Sequence, residues 1–287
     1  MFEIVDEKEV RDILEVKQVD NKKVENEVVD TLPLIPVTTL PSGFKGYPQG
    51  TKISYNPITL GELEALNNGT EEDIERGIAM LLNAIHCNTL SSSDLYYWDV
   101  IYIGIQRKLL AFGDTKGVLY AQCPKCGGIV EKEFDYTEIE FKEIQAPDLP
   151  VITDIAGKKV EFGLLTMKDF LEVDIEKGEL DVYARMIKNL PYEEAYKLIS
   201  NSYGKDTKKI RYIDKILNYG LKPFFETCNN EIVNPDFNSE KKESKSNPKM
   251  KLCQEEVRVE VRSPFEVVFP ENNDDGHNDF EIQYGRS

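Results

Sequence analysis

Four cysteines constrain this chain more than any other feature. Cys123 and Cys126 lie in the stretch AQCPKCGGIV (121–130), and Cys228 and Cys253 flank a gap of 24 residues. A Cys-x-x-Cys pair cannot complete a tetrahedral metal site, so the first pair needs two more ligands. Strand patterns surround both pairs. Val118 to Gln122 leads into the first turn and Ile129 to Phe134 leads out, with apolar and charged residues alternating. After Cys253, Val257, Val259 and Val261 alternate with charges in the same way. Two such hairpins, each with a cysteine at either side of its turn, can face one another and share one ion, as in a zinc ribbon. The expected ligand set is Cys123, Cys126, Cys228 and Cys253, with Zn2+ as a structural cofactor.

The two glycines after Cys126 suit a tight knuckle, whose backbone N–H groups turn towards the sulfurs and which often needs positive φ. Lys125 and Lys251 are expected to offset part of the net −2 charge of four thiolates around a divalent cation. Other uses of a Cys-x-x-Cys pair fit less well. A redox dithiol places it at a helix N-terminus, which lowers the thiol pKa, whereas here a strand follows. A catalytic zinc keeps an open position and favours histidine, and the only histidines are His86, on a predicted helix, and His277, near the end of the sequence. Cys228 and Cys253 read alone are equally compatible with two buried thiols packing as small hydrophobes. No nucleophile–base constellation and no phosphate-cradling glycine loop is visible, so the chain is not expected to be an enzyme or to take a small-molecule substrate.

Charge narrows the partners. Against 35 Lys+Arg stand 52 Asp+Glu, a formal net charge of −17, which repels phosphate backbones and favours basic surfaces of other proteins. The strands around the cysteines carry EKEFDYTEIEFKE and EEVRVEVR, too acidic for a nucleic-acid-binding ribbon. The remaining acidic residues read as solvated helix faces. The opening MFEIVDEKEVRDILEV has no continuous apolar core of a signal peptide, and no stretch approaches the roughly 20 apolar residues of a membrane helix. A chain made in a cytoplasm, with its thiols reduced, is expected.

The predicted fold class is α+β, with helical lobes joined by a small antiparallel, zinc-ribbon-like β unit built from two distant cysteine hairpins. Residues 1–38 form a charged extension. Residues 39–113 hold an extended segment and a helical region. Here Thr59 and Glu62 have capping-box spacing, and Ile74, Ile78, Leu81 and Ile85 keep one helical face. The helix from Leu95 to Phe112 ends at a Gly113 stop. On it Trp98 and Tyr102 are assigned to the core, while Tyr96 and Tyr97 could equally anchor a partner. Residues 114–147 with 221–270 form the β unit, interrupted by a polar insertion at 229–252. Residues 148–220 form an inserted helical region, with PYEEAYKLISNSYG and KKIRYIDKILNYG as its last helices, and 271–287 an acidic tail.

Three stretches carry a resemblance. LPSGFKGYPQGTKISYNPITLGELEAL contains a Leu-Pro-Ser turn (Leu40, Pro41, Ser42), a Tyr-Pro pair (Tyr47, Pro48) and a Thr-x-x-Glu helix start (Thr59, Glu62). The second is SSSDLYYWDVIYIGIQRKLLAFGDTKGVLYAQCPKCGG, and the third runs from GLKPFFETCNN to LCQEEVRVEVRSPFEVVFP. In this order they resemble the baseplate hub protein family of T4-like, contractile-tailed bacteriophages. The resemblance covers most of residues 40–270. It implies a non-enzymatic protein of the virion, at the centre of the tail baseplate, whose partners are other baseplate and tail proteins. Some members are hub components and others assist hub assembly without remaining. The chain departs from that pattern in the long insertion between Cys228 and Cys253 and in the extension before Leu40.

Overall fold

The computed structural model describes residues 33–59, 61–62, 71–113, 116–232 and 251–259. It begins with a three-stranded antiparallel sheet, in the order β1 (Ile35–Pro36), β2 (Ile53–Tyr55) and β3 (Ile85–Cys87), with helix α1 (Glu71–Ala84) running straight into β3. Ile78 and Leu81 are buried on α1 as the period requires. Ile85, expected on the same helix, is instead the first residue of β3. A β-branched side chain packs well on a pleated surface, and Tyr55 supplies its strand partner. His86 therefore lies on a strand and not on a helix, with Nε2 2.6 Å from Asn56 Oδ1.

Helix α2 (Tyr97–Phe112) ends where the sequence says it should. Gly113 takes φ 63° and its N–H donates to the Leu109 carbonyl at 3.2 Å. Val100, Ile101, Ile103 and Ile105 are all buried, which a helix packed on several sides requires. Tyr97 belongs to this core, stacked on Phe170 with ring centroids 4.0 Å apart, whereas Trp98 and Tyr102 are only partly buried. The acidic residues are not all solvated either, since Asp99 and Asp181 are fully buried.

After α2 come the hairpin β4 (Lys116–Gln122) and β5 (Ile129–Asp135), then a second hairpin, β6 (Val151–Ile155) and β7 (Lys158–Phe162). Residues 148–220 are thus not purely helical. Helix α3 (Met167–Leu171) starts on a capping box in which Thr166 Oγ1 accepts the Asp169 N–H and Asp169 accepts the Thr166 N–H. Helix α4 (Glu179–Met186) and helix α5 (Tyr192–Leu217) follow. The two helices expected at the end of this region are one. Its buried stripe of Ala195, Ile199, Ser202, Ile210, Ile213 and Leu217 continues past Gly204, and this packing outweighs the roughly 1 kcal/mol that a mid-helix glycine costs. The last elements among the described residues are β8 (Phe224–Thr227), β9 (Glu231–Ile232), β10 (Lys251–Leu252) and β11 (Glu256–Val259). The architecture is α+β, helices with small antiparallel sheets, around a cluster of four cysteines.

Among the described residues, three cores hold the structure together. One surrounds α2, a second lies between β6–β7 and helices α4 and α5, and a third is small and contains Cys123, Val130, Cys228, Cys253 and Val257. Where the chain leaves for residues 148–220 and returns, it is clasped by backbone pairing. The Lys142 N–H donates to the Gly220 carbonyl at 2.9 Å and the Lys222 N–H to the Glu140 carbonyl at 2.8 Å. Gly220 leaves no room for a side chain here, because a Cβ would lie 2.6 Å from the Trp98 ring.

Candidate metal centre

The two hairpins β4–β5 and β8–β11 lie side by side and bring their turns together. The Cys123 and Cys253 sulfurs are 3.7 Å apart, those of Cys126 and Cys228 are 3.5 Å apart, and all four lie within 4.8 Å of one another. Four sulfurs at about 2.3 Å from one tetrahedral ion stand about 3.8 Å apart. A disulfide would bring a pair to about 2.05 Å, and all five cysteines are free. The donor set and its spacing therefore fit a soft, four-coordinate metal ion. Cys87, the fifth cysteine, lies apart from the group on β3.

Matching backbone hydrogen bonds build the two halves. In the first, the Cys123 N–H donates to the Gly128 carbonyl at 2.8 Å and the Gly127 N–H to the Cys123 carbonyl at 2.9 Å. In the second, the Cys228 N–H donates to the Glu255 carbonyl and the Gln254 N–H to the Cys228 carbonyl, both at 2.8 Å. Gln254 at φ 54° stands where Gly127 stands at φ 74°. The gap between Cys228 and Cys253 thus replaces the two residues between Cys123 and Cys126 without altering the frame around the sulfurs. Its ends are themselves paired, Glu231 with Leu252 and Ile232 with Lys251, so β9 and β10 prolong the hairpin. Residues 233–250 of the polar insertion, 1–32, the acidic tail and Val261 lie outside the described residues.

The electrostatics suit a cation. Burial opposes ionisation of Cys123, but the N–H groups of Cys126 and Lys125 outweigh it and hold the thiol at about 7. Burial pushes Cys253 up to about 12. Without a cation the Cys123 thiolate forms readily while Cys126 and Cys253 resist, and a divalent ion removes that conflict. Asn230 Nδ2 donates to the Cys228 sulfur at 3.4 Å and to the Ile129 carbonyl at 2.9 Å, tying one ligand to the opposite hairpin. Lys125 meets Glu255 at 3.0 Å, and Cys253 and Cys123 lie near enough to add a smaller attraction for its ammonium.

A second constellation escaped the sequence reading. Buried Asp99, in the first turn of α2, accepts the Ser42 N–H at 3.0 Å, the Ser42 hydroxyl at 2.6 Å and the Tyr47 hydroxyl at 2.8 Å. Arg107 donates to the carbonyls of Asn56 and Pro57 and to the Glu62 carboxylate. Thr59 and Glu62 bond reciprocally, as their capping-box spacing predicts. Segment 40–62, which carries the first resembling motif, is therefore fastened to α2 by buried polar groups. A cleft of about 660 Å³ beside Tyr47 and Tyr96 is lined in part by Asp169, Arg185 and Lys188, of which Lys188 pairs with Asp169 and Arg185 with Asp181 and Glu172.

A family model described as T4 bacteriophage base plate protein matches residues 32–197, more than half of the chain. The chain belongs to this family. The match takes in segment 40–62, α2 and the first cysteine pair of this base plate protein, and it stops before Cys228 and Cys253. Membership gives the chain a structural role in a phage baseplate, among other phage proteins. No curated protein and no solved structure matches it. Among the described residues, no helix is long and apolar enough to cross a membrane.

Proposed function

We propose that the chain is a non-enzymatic subunit of the central hub region of a contractile phage tail baseplate, stabilised by one zinc ion in a ribbon of two cysteine hairpins. The observation that carries this is the joining of the base plate family's segment to a four-thiol cluster whose second half comes from outside it. Zinc is the metal that four thiolates at tetrahedral spacing suit best, and structural zinc binding is worth about 10–16 kcal/mol. Because residues 140–142 and 220–222 already clasp the inserted region, little chain entropy remains for the metal to oppose. Its task is to fix the two hairpins against each other and to hold a rigid surface for neighbouring subunits.

The outward-facing ribbon residues include Glu131, Glu133 and Glu256, which disfavours the nucleic-acid-binding alternative. Mass spectrometry of purified tails, with the tagged chain located by electron microscopy, tests the placement. The chain is expected in the tail, on the axis of the baseplate. Its presence in infected cells but not in finished particles would show an assembly factor instead.

A further inference from the structure

The C-terminal half of α5 carries a basic face that the metal centre does not use. Lys205, Lys208, Lys209, Arg211 and Lys215 are exposed there, and so is Tyr212, at 63 %. At 100° per residue they share one arc of about 160°, running about 15 Å along the helix. The helix's own carboxylates turn elsewhere, with Asp206 accepting the Ala156 N–H and Asp214 half-buried. Lys209 donates to the Asp154 carbonyl at 2.6 Å, and Arg211 reaches the Tyr203 hydroxyl at 3.5 Å with Glu179 near that edge. Lys205, Lys208 and Lys215 form no ion pair among the described residues.

Exposed Tyr212 stands within this face, and the β6 strand borders one edge of it. The contacts of Ala156 with Asp206 and of Asp154 with Lys209 run β6 antiparallel along α5. Ile152, on the same strand, is 55 % exposed. Like charges three and four residues apart repel, so the face is unfavourable alone and is relieved by an anionic partner. In a chain of net charge −17 such a concentration points to one docking place.

We propose that this face docks an acidic protein surface on a neighbouring phage subunit, with Tyr212 at the dry centre and the lysines around it. The kind of neighbour rests on the baseplate reading. A protein fits better than nucleic acid on two counts. The net field repels a polyanion at long range, and a face of this length meets only a few phosphates. Exposed tyrosine beside arginine is, moreover, characteristic of protein interfaces.

The test takes the tagged full chain in its complexes from infected cells and treats them with a carbodiimide, which joins lysine amines to touching carboxylates. Cross-links from Lys205, Lys208 or Lys215 to aspartate or glutamate of another phage protein are expected. The variant Lys205→Glu/Lys208→Glu/Lys215→Glu, folded to the same Tm, should then bind that purified protein roughly a hundredfold more weakly. Links from these lysines only to residues 271–281 of the same chain, or only to a second copy, would overturn the proposal. So would binding to a DNA duplex of about 30 base pairs that the triple variant loses. If other lysines of the chain link to phage proteins and these do not, the docking face fails and the baseplate reading stands. If no lysine links to any phage protein, both fail.

Discussion

Ser42 holds Asp99 twice, through its backbone N–H at 3.0 Å and its hydroxyl at 2.6 Å, across 57 residues of sequence. This is how the Leu-Pro-Ser turn acts in the fold, as a donor for a carboxylate with no access to water. Ser42→Ala removes one donor and leaves Asp99 short of a partner, at a cost of about 1–3 kcal/mol. Urea unfolding measures it, and a change within error would mean that water enters in place of the hydroxyl.

The same carboxyl makes stability depend on pH. Burial raises Asp99 from 3.8 to about 6, against the hydrogen bonds from Ser42 and Tyr47 that pull it down. A group that binds its proton more tightly in the folded state stabilises fully below about pH 3.8 and loses that contribution as pH rises through about 6. The shift corresponds to about 3 kcal/mol at most. Asp181 acts in the opposite sense at lower pH. Burial pushes it up, but Tyr192 and Arg185 hold it below the usual range. Wild type should therefore lose stability relative to Asp99→Asn between about pH 4 and pH 7. A gap that stays constant over that range contradicts the assignment.

Arg107 is 5 % exposed at its side chain and Glu62 18 %, with 2.9 Å between them. Glu62→Ala strands a nearly buried guanidinium, with a loss of about 3 kcal/mol. Arg107→Lys is not conservative either, because a single ammonium cannot reproduce the fork that reaches Asn56, Pro57 and Glu62. Thermal unfolding of both variants checks this, and lysine performing as well as arginine would count against the geometry.

Gly128 stands beside the ligands without being one. An added Cβ would lie 2.3 Å from Asn230 Nδ2, so Gly128→Ala drives the Asn230 side chain away and deprives Cys228 of a donor. Metal affinity should fall about tenfold or more while all four ligands remain. Competition with a chromophoric chelator reads the change, and an unchanged affinity would deny Asn230 its role.

Local pattern made part of this fold legible. The alternation around Cys123 and Cys126 foretold β4 and β5, and Gly113 marked the end of α2. The joining of the four sulfurs was legible because strand patterns flank Cys228 and Cys253 despite the gap. What escaped was decided at a distance. Asp99 looks like any acidic residue on a helix until Ser42 and Tyr47 are folded against it. Ile85 keeps helical period with Leu81, yet pairing with Tyr55 turns it into a strand. Gly204 read as a break because the buried stripe that carries α5 past it depends on packing against β6–β7 and α4. The inserted region is closed by the Phe141–Leu221 bridge, which stands closer to it than the cysteines do and has no signal in the local pattern. Cys123→Ser should accordingly loosen the two hairpins while amides in α4 and α5 keep their protection from hydrogen exchange.

X-ray absorption at the zinc edge, on protein purified without added chelator, tests the centre most directly. One zinc per chain, with four sulfurs at about 2.3 Å and no nitrogen or oxygen neighbour, is the expected result. A folded, metal-free chain carrying four titratable thiols at these positions would contradict it.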